Sequence, residues 1–71
     1  MFETSDIALA SYLMMKNIKL VSAGKESGGR FRFVFEDSKN ECNTHSIDYV
    51  NSDFSKFDNY MRNLKNILYK S

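Results

Sequence analysis

Residues 28–37 read Gly-Gly-Arg-Phe-Arg-Phe-Val-Phe-Glu-Asp (GGRFRFVFED), the one strict alternation of large apolar and charged residues in the chain. Successive side chains of a strand point to opposite faces. A strand here puts Phe31, Phe33 and Phe35 on one face and Arg30, Arg32, Val34 and Glu36 on the other. Three of the six phenylalanines of a 71-residue chain then share one surface, and the remaining segments read as its cover.

Immediately upstream, Ile18–Ala23 (IKLVSA) reads as a partner strand. Gly24-Lys25-Glu26-Ser27-Gly28 forms the turn, with a glycine at each end. A loop centred on Lys25–Gly28 sets Leu20 opposite Phe33 and Ile18 opposite Phe35. The inner face is then Ile18, Leu20, Ser22 and the three phenylalanines. Lys19, Val21, Ala23, Arg30, Arg32, Val34 and Glu36 form the outer face. A two-stranded hairpin is marginal alone, so helices must cover the phenylalanines. Its open edges invite another strand, and the N-terminal Met1–Glu3 is available as a third.

Before the hairpin, Thr4, Ser5 and Asp6 are all N-cap residues, and Asp6 suits the positive end of the helix dipole. A dense apolar helix follows from Ile7, with Asn17 as a left-handed stop and Ile18 packing back on the last turn. After the hairpin, Ser38 and Glu41 have capping-box spacing and predict a helix over Lys39–Val50, broken at Asn51–Asp53. Asp37 is expected to cap that helix or bind backbone in the turn. The last helix, capped by Ser55, repeats apolar residues without error at Phe57, Tyr60, Met61, Leu64, Ile67 and Leu68. It is the natural lid for the phenylalanine face. Asn59, Arg62, Asn63, Lys65 and Asn66 occupy its other side, and Lys65 and Lys70 suit its C-terminal dipole. The fold class is α+β, ordered helix, β-hairpin, short helix, long C-terminal helix packed on the hairpin, in a single domain 1–71.

The pattern FETSDIALASYLMMKNIKLV, then FVFEDS, then a closing FxxYMRNLKNILY helix resembles a family of small uncharacterised proteins, a domain-of-unknown-function family common in bacteriophages and prophages. The resemblance rests on Thr4-Ser5-Asp6, Phe33–Asp37, Leu64-Lys65 and Leu68-Tyr69, and covers nearly the whole chain. Asn17 stands where glycine is expected in such proteins, and Asn40–Asp53 is the least similar part. The resemblance implies a viral origin, an accessory role and no known active site.

Composition narrows the function classes. Ten Lys/Arg against nine Asp/Glu argue against a protein whose main task is coating a polyanion. One cysteine, Cys42, and one histidine, His45, are too few for a closed structural zinc site within one chain. A lone cysteine fits a reducing compartment. Cys42 and His45 lie three apart, a spacing that suits a metal pair shared with a second subunit or a Cys-His nucleophile; a semi-buried cysteine and a surface histidine are the favoured reading. Glu36 and Asp37, adjacent on a strand, diverge and are no catalytic pair. Phosphate loops and GxSxG, HExxH and CxxC motifs are absent. The expectation is a non-enzyme without metal or cofactor, with no membrane span or leader, acting in the host cytoplasm.

A domain this small lacks staples, and its hairpin edges are open. It is therefore expected to bind another protein, host or viral, and to self-associate as a homodimer. Lys19, Val21, Lys25, Arg30, Arg32 and Val34 are the expected partner-binding surface. The rival expectations are nucleic-acid binding through the basic hairpin face and a minor virion component.

Overall fold

The computed structural model describes residues 1–70, so Ser71, at the end of the expected domain, lies outside the described residues, as does the side chain of Lys70. The order is β1 (Phe2–Thr4), α1 (Ile7–Met15), β2 (Leu20–Lys25), β3 (Phe31–Phe35), α2 (Cys42–Val50) and α3 (Asp53–Lys70). The architecture is α+β, with an antiparallel sheet in the order β1-β3-β2. The N-terminus supplies the third strand: Phe2 opposes Phe35, and Thr4 opposes Phe33.

The start and stop of α1 follow its side chains. Asp6 Oδ1 accepts the amides of Ala8 (2.9 Å) and Leu9 (3.3 Å). Asn17 takes φ 67°, the left-handed region that ends helices. The Ile18 amide then donates back to the Leu13 carbonyl (3.1 Å), and Ile18 packs on the core. Asp6→Ala is expected to cost about 1 kcal/mol, the usual value of an N-cap. That is a fall of roughly 4–8 °C in Tm for a domain of this size, measured by circular dichroism.

The hairpin register differs from the expected one. Leu20 opposes Phe35, Ala23 opposes Phe33 and Lys25 opposes Phe31, with an irregularity between Leu20 and Ser22. The extra residue at Val21 slips β2 by one place, which exchanges the faces of everything after it. Ala23 and Lys25 therefore join the aromatic face, while Ser22 and Gly24 oppose Val34 and Arg32 on the other. The turn runs through Gly28 (φ 85°) and Gly29 (φ 79°), and the Glu26 amide donates to the Arg30 carbonyl at 2.7 Å.

The core is small: Ala10, Leu13, Phe35 and Cys42, with Phe2, Leu9, Ile18, Leu20 and Phe33 packed against it. The phenylalanines are not equivalent. Phe35 is fully buried, whereas Phe31 is 44% exposed and meets Phe33 at 6.2 Å between ring centroids. Helix α1, nine residues or roughly 14 Å long, lies over the Phe35 end of the sheet.

The second helix begins later than expected. The capping box at Ser38 does not form; Asn40 turns the chain at φ 54°. Asp37 Oδ1 takes the amide of Cys42 at 3.1 Å instead, as expected of Asp37. Ser52 replaces Ser55 as the cap of α3, its hydroxyl accepting the Ser55 amide at 3.4 Å.

The expected position of the last helix is corrected. Helix α3 packs chiefly on α2, while α1 covers the sheet. A rosette of rings anchors its first turn. Tyr12 meets Tyr49 at 5.4 Å and Phe54 at 5.8 Å. Arg62 adds a tie, 2.9 Å from Asp58 and 3.4 Å from the α1 cap Asp6. Only Asn51 and Ser52 separate α2 from α3, which keeps the start of α3 beside α2. The chain is elongated, 45 × 30 × 14 Å, with a radius of gyration of 13.5 Å against about 11 Å for a compact chain of this length.

Candidate protein-interaction surface

The residues expected to bind a partner are divided by the fold. Arg32 and Val34 share the outer face of β3. Lys25 lies on the opposite, aromatic face beside Phe31. Val21 sits in the irregular step of β2 and is exposed. Lys19 precedes β2, its carbonyl accepting the Glu36 amide at 2.9 Å. Arg30 closes the turn and is exposed. A continuous basic face is not formed. Arg32 is engaged by Glu3, which β1 carries to it, and by Glu26 at 3.8 Å. The Glu3 hydrogen bond, then its charge, raises the Arg32 pKa further above its ordinary value.

Cys42 is fully buried. Burial first, then the hydrogen bond with Asp37, pushes its thiol up to about 11. The thiolate is the reactive form, and this setting disfavours it near neutral pH. His45 is half-buried rather than on the surface, and its Nδ1 meets no protein hydrogen-bond partner. No group of three or more His, Cys, Asp or Glu is placed to hold a metal among the described residues.

Asp37 carries a pH signature. The Cys42 amide, donating to its carboxylate, holds its pKa below the ordinary 3.8. A carboxylate depressed on folding adds stability above its unfolded pKa, and that stability is lost as pH falls through the folded value. Asp37→Asn keeps an acceptor for the amide but removes the titration. Below pH 3.8 the variant is therefore expected to lose stability less steeply than the parent, as read from urea midpoints.

The surface that sequence reasoning assigned to the core is the apolar stripe of α3. Phe57 (67%), Tyr60 (61%), Leu64 (61%) and Ile67 (66%) are all exposed, with Met61 at 40% between them. Spaced i, i+3, i+7 and i+10, the first four trace one line along a helix of 18 residues, roughly 27 Å. The periodicity marked these side chains as destined for burial. The chain itself does not bury them.

Toward its start the stripe opens into a groove between α1 and α3, with Tyr49 of α2 at its floor and a volume of about 250 Å³. That is smaller than the ~300–1,000 Å³ typical of small-molecule sites. Its walls are Ala8, Ser11 and Met15 on one side and Phe54, Phe57 and Met61 on the other. Asp58, with a largely buried side chain, lies at its rim beside Arg62.

No helix among the described residues is long and apolar enough to cross a membrane. Neither the curated proteins nor the solved structures include a match to this chain. A family model described as Domain of unknown function (DUF5659) matches residues 1–70, and the chain belongs to that family.

Proposed function

We propose that this chain is a small, non-catalytic accessory protein that acts by binding protein, and that the stripe of α3 is where it associates with a second copy of itself. The exposed stripe carries the reading. Its five side chains from Phe57 to Ile67 leave roughly 600 Å² of apolar surface in solvent, taking 150–250 Å² for a whole aromatic ring. That matches or exceeds the largest patch of a typical monomer, about 300–600 Å². It approaches the ~800 Å² that each partner contributes to a standard interface. A second copy is the occupant that presents the same stripe at the same concentration, and a two-fold pairing buries both at once. The work of a phage or prophage accessory protein in the host cytoplasm is the setting that the sequence resemblance supports, with a place in the virion as the alternative.

Sedimentation equilibrium across the micromolar range tests the association. Twice the 8.3 kDa chain mass is expected; a single 8.3 kDa species throughout would overturn it.

Nucleic-acid binding remains the second reading, and one observation favours it: Phe31 is exposed with Lys25 as its cross-strand neighbour. A ring beside a cation is the element of a stacking site. The engagement of Arg32 by Glu3 and Glu26 weakens the charge that such a site needs. Binding to single-stranded DNA at about 50 mM salt that falls steeply with added salt would support this reading. No binding there would remove it.

A further inference from the structure

Resting on the self-association just described, we infer that the two copies pair antiparallel, and that the second half of one α3 fills the groove between α1 and α3 of the other. Three observations lead there. The first is the placement of the groove. It adjoins the N-terminal half of the stripe, where Phe54, Phe57 and Met61 form one wall. A two-fold axis passing near residue 62 sets Leu64 and Ile67 of one copy opposite Tyr60 and Phe57 of the other, hence at the mouth of the groove. A parallel pair sets each residue against its own equivalent and leaves both grooves open.

The second observation is the length of the helix. Antiparallel pairing of two 18-residue helices opposes their dipoles, whereas parallel pairing aligns them. The third is shape. The α1 wall carries the small side chains Ala8 and Ser11, which let a helix approach closely. The volume of about 250 Å³ suits a few aliphatic side chains, and their contact adds to the area that the stripe buries.

Two exposed substitutions test this, neither of them in the core. Ser11 is exposed, and its hydroxyl donates only to the Ile7 carbonyl of its own helix. Ser11→Arg keeps helix propensity and plugs the groove. Its dimer is expected to dissociate at least about tenfold more readily with an unchanged Tm at low concentration, and Ser11→Ala is expected to behave as the parent. A spin label on Lys56→Cys, an exposed position, reads orientation by distance. The antiparallel pair sets the two labels roughly 18 Å apart along the helices, and a parallel pair sets them abreast. A dimer indifferent to Ser11→Arg, or one whose labels at residue 56 lie abreast, overturns this inference and leaves self-association standing. A parent that never dimerises overturns the reading on which it rests.

Discussion

Leu64→Glu is expected to abolish the proposed self-association without unfolding the chain. Leu64 is 61% exposed on the middle of the α3 stripe, so a carboxylate there meets water in the single chain. In the pair it would be a charge held against apolar side chains, with the loss of a leucine worth roughly 1.5–3 kcal/mol when buried. The change enters twice by symmetry, so dissociation should rise by roughly two to four orders of magnitude. The melting temperature of the parent should climb with concentration, as mass action requires; that of the variant should not. Had α3 been the lid of the hairpin, the same substitution would destroy the fold at every concentration. Sedimentation and circular dichroism on one sample separate the two outcomes.

Phe35→Ala is expected to destabilise the fold severely, while Phe31→Ala is tolerated. Phe35 is fully buried and central to the core with Leu13, Ala10 and Cys42. It also holds register on both sides, opposing Phe2 and Leu20. Truncating a buried phenylalanine costs about 3–5 kcal/mol. A domain of this length has roughly 4–11 kcal/mol in all, so the variant should lose from about a quarter to all of its stability. Phe31, 44% exposed at the far end of the same strand, should lose no more than about 1 kcal/mol. Urea unfolding of the two variants side by side checks the contrast. Equal losses would mean that the sheet is covered along its whole length.

These expectations show where sequence carried the fold and where it did not. Much of the local chemistry was readable. Asp6, one of three cap candidates, caps α1, Asn17 stops it, and Asp37 binds the amide that starts α2. The strand Phe2–Thr4, which closes the edge of β3, was one of two options that the N-terminus left open. Each of these is decided within a few residues or by one pairing rule. The register of the hairpin was not readable, because the irregular step at Val21 carries no glycine or proline to mark it. The capping box at Ser38 failed because Asn40 adopts the left-handed conformation instead, a choice that asparagine can make and spacing cannot reveal.

The candidate surface was legible in its residues and misread in its place. The periodicity of Phe57, Tyr60, Leu64 and Ile67 states that one side of a helix must leave water; it does not state which surface receives it. The two-residue link at Asn51–Ser52 and the Tyr12, Tyr49 and Phe54 rings decide that, and they steer α3 away from its own sheet. The basic face was misread for a similar reason. Glu3 is distant in sequence from Arg32, and only the pairing of β1 with β3 brings them together.

In the proposed pair another copy, and not its own hairpin, covers the α3 stripe. Isotope-filtered nuclear Overhauser spectroscopy on an equal mixture of labelled and unlabelled chains reads which of the two surfaces does so. Cross-peaks between chains are predicted from the Leu64 and Ile67 methyls to the Phe57 and Tyr60 rings. Cross-peaks within one chain from those methyls to Phe31 and Phe33, with none between chains, would contradict it.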